Sequence, residues 1–169
     1  MQYDIHPIFI HFPIAFLFFY SVFVVLPLEK WFPRIQWKAL RIILLVVGVL
    51  GALIANSTGE IAGNLNRPDK NILNSHQWFA GATTFFYVVL LISESISCIK
   101  NFIHKKISFK TLQKLFSFIE IILTFKPLII ILAILGFFSI LITGILRGIM
   151  IYGTTADPLA QLLLKLLGI

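Results

Sequence analysis

Three residue types in this chain could bind a cofactor or move a proton in a membrane: histidine, glutamate and arginine. His6 and His11 fall in the stretch His6-Pro7-Ile8-Phe9-Ile10-His11-Phe12-Pro13, which opens a long apolar run. His76 begins another such run, and Glu60 and Arg147 lie near the ends of two more. Imidazole nitrogens ligate haem iron or a divalent metal, a carboxylate adds a metal ligand or proton acceptor, and a guanidinium holds an anion such as a haem propionate. Such side chains are costly at membrane depth and tend to face a bundle interior.

Spacing limits what they can do together. His11 follows His6 by five residues, about 7 Å along a helix and about 140° around it. The two imidazoles therefore do not share a face. Each residue also has a plainer reading: His6 and His76 as boundary or capping groups, His11 as a hydrogen-bonding partner, Glu60 paired with Arg67 or Arg147, and Arg147 reaching to the headgroups.

The elements that must position these groups follow from composition. The chain has 169 residues, 59% hydrophobic and 12% charged, with a mean hydropathy of +0.96. A soluble domain carries about 25% charged residues, so this is an integral membrane chain. The formal charge of +7 does not indicate nucleic acid, because the basic residues gather between apolar runs. Cys98 is the single cysteine and makes no CxxC or CxxCH motif, which excludes covalent c-type haem. Met1 to His6 holds only Asp4 as a charge, so the first run reads as a span and not a leader.

A span needs roughly 20 apolar residues. Four stretches qualify, at residues 7–28, 40–63, 75–99 and 127–152. They predict an all-α, antiparallel four-transmembrane-helix bundle in one membrane domain, with Pro13 bending the first helix. Residues 107–125 carry Phe109, Leu112, Leu115, Phe116, Ile119 and Ile122 opposite Lys110, Gln113 and Lys114, which predicts an interfacial helix before the fourth span. Asp157-Pro158 reads as a cap and first position of a short amphipathic helix at 158–168, lying on the membrane or packing on another subunit.

Loop charges orient the bundle. Lys30, Arg34, Lys38, Arg41, Lys100, Lys105, Lys106, Lys110, Lys114 and Lys126 fall on one side, and only Arg67, Lys70, Arg147 and Lys165 on the other. The positive-inside rule then puts both termini outside the cytoplasm, with Trp31 and Trp37 at the inner interface and Trp78 and Tyr152 at the outer one. The outer helix ends hold His6 and His11; Asn56, Ser57, Thr58 and Glu60; His76, Gln77, Thr83 and Thr84; and Thr143 and Arg147. The inner ends hold little beyond Ser93, Glu94 and neighbouring serines. That asymmetry predicts a polar or cofactor site at the outer face. Gly51, Ala55, Gly59 and Gly63, and the pair Gly144 and Gly148, fit close helix packing or room for a flat macrocycle.

The pattern His6-Pro7-x-x-x-His11-Phe12-Pro13, with Thr58-Gly59, His76 and Gly144-x-x-x-Gly148-x-x-x-Tyr152-Gly153, resembles the bacterial family of four-helix inner-membrane proteins catalogued as domain of unknown function 2231. The resemblance covers about residues 5 to 155. Arg147 stands where that pattern has a small or apolar residue. Some relatives look fused to c-type cytochrome segments, so the resemblance implies a bacterial inner-membrane setting near electron transfer.

Three functions compete. The first is an electron-transport subunit holding b-type haem through His11 with His76, or His6 with His76, and Arg147 on the propionates. The second is a structural or assembly subunit of a larger membrane complex, without its own cofactor. The third is a divalent-metal site for transport or sensing, built from His6, His11, His76 and Glu60. The partners are the lipid bilayer, other subunits or a c-type cytochrome, and no nucleic acid. With no GxSxG, P-loop or dinucleotide fingerprint, a non-catalytic or electron-transfer role is favoured over an enzyme.

Overall fold

The computed structural model describes the backbone of residues 6–66, 69–106, 110–155 and 158–169, and the side chains of 10–59, 69–96, 98–99, 113–155 and 158–169. Among these residues the fold is all helical, with seven helices: α1 His6–Val25, α2 Leu28–Trp31, α3 Trp37–Asn66, α4 Lys70–Lys106, α5 Lys110–Leu123, α6 Lys126–Tyr152 and α7 Ala160–Leu167. The side chains of His6, Glu60, Arg67, Lys100, Lys105, Lys106, Phe109, Lys110, Leu112 and Asp157 lie outside the described residues.

Trp37–Gly59, Lys70–Ile96 and Lys126–Tyr152 are long and apolar enough to cross a membrane, and the described part of α1, Ile10–Val25, is a shorter apolar helix. α1 stops at Val25, short of the predicted residue 28, because Pro27 has no N–H to continue the ladder and Leu26 before it is pushed from helical geometry. α4 runs from Lys70 to Lys106, well past the predicted 75–99, because a hydropathy reading sees only the apolar middle of a helix whose ends are polar. Pro127 starts α6 in its first turn, and Gly153 ends it at φ 80°, a conformation that favours glycine.

The four long helices pack in a closed ring: α1 on α3, α3 on α4, α4 on α6, and α6 on α1. Every neighbour pair runs antiparallel. A Cβ at Gly48 would overlap Leu17, and one at Gly51 would lie 3.1 Å from Pro13, so rising numbers on α3 meet falling numbers on α1. His76 meets Thr143 and Phe79 meets Ser139 between α4 and α6. Leu17, Tyr20, Leu45, Tyr87, Leu90 and Ala133 form the centre of the core. Around it, Phe12, Phe19, Ile43, Leu50, Phe85, Ile131 and Phe138 are exposed, a surface that suits lipid and not water.

α5 turns its apolar side outward: Leu115, Phe118, Ile119 and Ile122 are exposed, while Gln113, Ser117 and Glu120 are half-buried. α7 begins at Ala160, two residues after Pro158, and packs on its own chain. Ala160 is fully buried in a small cluster with Leu146 and Ile149 of α6, whereas Leu162 and Leu166 face outward. Trp37 is buried and donates Nε1–H to the Phe32 carbonyl at 2.9 Å, so it caps the turn before α3; Trp31 and Trp78 are exposed.

Candidate functional site

α1, α3, α4 and α6 separate at the end that holds His76 and enclose a cavity of about 580 Å³. This falls within the roughly 300–1,000 Å³ of small-molecule and cofactor sites. Ile10, Pro13, Ile14 and Leu17 supply the α1 wall at helical steps of three and four. Ala52, Ala55, Asn56 and Gly59 supply the α3 wall, and Ile140, Thr143, Gly144, Arg147 and Met150 the α6 wall. Its polar groups converge from three helices: Asn56, His76, Gln77, Thr83, Thr84, Thr143 and Arg147.

His76 is half-buried, and its Nδ1 lies 3.1 Å from the Thr143 carbonyl. A carbonyl only accepts, so Nδ1 carries the proton and Nε2 is the basic nitrogen of the neutral ring. This arrangement, with Nδ1–H on a backbone carbonyl, orients ligating histidines in metal sites. Beside it, Asn56 Nδ2 donates to Thr84 Oγ1 at 3.0 Å, tying α3 to α4, and Thr84 Oγ1 donates to the Ala80 carbonyl at 3.0 Å. Ser139 donates to the Phe79 carbonyl at 2.9 Å and pins α6 to α4 just below.

The glycines divide into two groups. Gly48 and Gly51 are packing positions against Leu17 and Pro13. Gly144 and Gly148 are not: among the described residues a Cβ at either would meet nothing within 4 Å, and Gly144 lines the cavity. Gly144 and Gly148 therefore leave open space and do not bring two helices together, in contrast to Gly136 of the same helix, which packs against the Tyr87 ring.

Of the residues picked from sequence, His76 and Arg147 come together around the cavity. His11 lies on the exposed side of α1 and does not line it. His6 and Glu60 carry side chains outside the described residues. Among the described residues no group of three His, Cys, Asp or Glu side chains could hold a metal ion.

A second polar group, at the opposite end, was not anticipated. Glu94 is buried on α4 and accepts from Arg41 Nε of α3 at 2.9 Å, and Arg41 also pairs with Glu29 of α2. Between this ion pair and the cavity lie buried Tyr20, Ser21 and Tyr87. Sequence reasoning counts Arg41 as a loop charge and Glu94 as one of a few inner-end polar residues, without pairing the two. The usable signal was that the two opposite charges sit at meeting ends of consecutive antiparallel helices.

Compared with known proteins, the chain matches no family model, no curated sequence and no solved structure.

Proposed function

We propose that the chain is a four-span integral membrane protein, both termini extracytoplasmic, that holds b-type haem in the cavity at the His76 end as a subunit of an electron-transport assembly. The observation that carries this reading is His76: its Nδ1–H is engaged by the Thr143 carbonyl, which sets Nε2 as the basic nitrogen of a ring lining the cavity. Arg147 lines the same cavity and supplies a cation for a propionate. Gly144 and Gly81 leave wall positions without side chains, and Ile10, Ile14, Leu17 and Ile140 give an apolar surface for a macrocycle. Bound haem supplies one-electron chemistry at its iron. His76 would ligate it, Arg147 would fix its orientation, and the apolar walls would exclude water.

The bilayer reading rests on the three long apolar helices and the exposed apolar surface around the core. α1 completes the ring and would be the fourth span. The excess of basic residues at the α1–α3 and α4–α6 connections supports the orientation. The resemblance to the four-helix inner-membrane family agrees with a bacterial inner-membrane location and with a c-type cytochrome or other subunits as partners.

The test is an oxidised and reduced absorbance spectrum of the protein purified after expression with added haem precursor. A Soret band lost in His76→Ala is the expected result. A wild-type protein without a Soret band overturns the proposal.

A further inference from the structure

On α4, His76, Ala80, Thr83, Tyr87, Leu90 and Glu94 recur at alternating steps of four and three, the spacing of one helix face. Thr83, Tyr87, Leu90 and Glu94 are buried, and His76, Ala80 and Thr83 line the cavity. An apolar bundle has no packing need for polar groups at most positions of an inner seam. The 18 steps from His76 to Glu94 span about 27 Å, close to the roughly 30 Å of a hydrocarbon core.

The gaps in this seam are filled from α1. One turn beyond the cavity wall at Leu17 and Thr83, Ser21 Oγ and Tyr87 Oη lie 2.7 Å apart. Beside them is Tyr20, at 0% exposure, with its ring centroid 6.2 Å from that of Tyr87 and within electrostatic reach of Glu94 and Arg41. Tyr20 Oη has no hydrogen-bond partner among the described residues. A buried orphan hydroxyl calls for an ordered water or a transfer role. At the far end, Glu29 is 53% exposed and brings the Arg41–Glu94 pair to the surface.

We propose that this seam is a proton path joining the Glu29–Arg41–Glu94 end to the cavity. A proton taken up by a carboxylate passes to Tyr20 and then Tyr87 by O–H···O exchange through bridging water, while Ser21, whose own proton goes to the Ala133 carbonyl, holds the Tyr87 hydroxyl in place. Each tyrosine hydroxyl gives up one proton and receives another, so no group changes oxidation state. Arg41 is a fixed cation that holds Glu94 at the foot of the path. The path opens into the cavity at Thr83, and His76 is the titratable group beyond it. The proposal does not depend on what fills the cavity.

The test uses the full chain in phosphatidylcholine–phosphatidylglycerol vesicles with a trapped pH dye and a valinomycin-clamped potassium gradient. Wild-type vesicles should acidify about tenfold faster than protein-free ones, and Tyr20→Phe and Glu94→Gln should each remove most of that excess. Tyr20→Phe is the deciding variant, because it deletes an oxygen that bonds nothing and leaves the fold intact, as a melt in detergent will check. Phe85→Leu, on the exposed surface, should keep wild-type flux. Wild-type flux equal to that of protein-free vesicles overturns the proposal, and so does Tyr20→Phe flux within about twofold of wild type.

Discussion

Ser21 Oγ and Tyr87 Oη, 2.7 Å apart, join α1 to α4, two helices that stand on the diagonal of the ring and not side by side. Ser21 also donates to the Ala133 carbonyl of α6 at 3.2 Å, so its single proton is committed and Tyr87 must donate to it. Gly136 makes the reach possible: a Cβ there would come within 2.9 Å of the Tyr87 ring. Three helices thus meet at one serine.

Ser21→Ala and Tyr87→Phe should each destabilise the bundle by about 1–3 kcal/mol, because each leaves a buried partner with a bond unmade. The double variant should cost clearly less than the sum, as one shared bond is lost only once. Reversible unfolding in mixed micelles measures all four corners of the cycle. Strict additivity would show that the two hydroxyls are not coupled.

The glycines give a paired expectation. Gly48→Ala drives a methyl into Leu17, which is 1% exposed and has nowhere to go, so a loss of about 1–3 kcal/mol is expected. Gly144→Ala meets open space and should leave the melting temperature unchanged or raise it slightly, since alanine favours helix. Thermal melts of the two variants side by side decide this. Equal effects would mean that the open space on α6 is closed in the membrane.

These two glycine sets show what the sequence carried and what it did not. Helix positions were readable because an apolar run must match the hydrocarbon thickness: residues 127–152 were predicted and Lys126–Tyr152 is found. Which face of each helix turns inward was much less readable. α1 is apolar all round, so no stripe marks its core side. For that reason the inward row Ile10, Pro13, Ile14 and Leu17 could not be told from the row holding His11. The His76 and Arg147 ends of the site were visible, because polar residues gather there on several helices at once. The Tyr20, Tyr87 and Glu94 seam was hidden by its sparseness, one polar residue every one or two turns.

The Arg41–Glu94 pair gives a third expectation. Removing one partner from a buried ion pair costs about 3–5 kcal/mol. Arg41 keeps 19% side-chain exposure, so water screens part of the loss and Arg41→Gln should cost about 2–3 kcal/mol. Glu94→Gln should cost less, because Arg41 retains Glu29. Chemical unfolding of both variants at one ionic strength tests the order. The reverse order would place the greater burden on the arginine and not on the carboxylate.

The histidines separate the cavity reading from the double-histidine reading that the opening stretch invites. His76 lines the cavity with its tautomer fixed by the Thr143 carbonyl, and His11 is exposed on the far side of Ile10 and Pro13. His76→Ala should therefore abolish haem absorbance, and His11→Ala should leave at least about half of the bound haem, because it removes no cavity wall. Loss of an orienting contact to a ligating imidazole typically costs about 10–100-fold in affinity. Thr143→Ala will not reproduce such a loss, because the bond uses its backbone carbonyl; the side chain donates instead to Ser139 at 2.7 Å. Gly144→Leu should fill the cavity and displace the ligand while the fold persists. Absorbance titration of all four proteins with haem checks the set. Retention in His76→Ala together with loss in His11→Ala would move the site out of the cavity and onto the exposed face of α1.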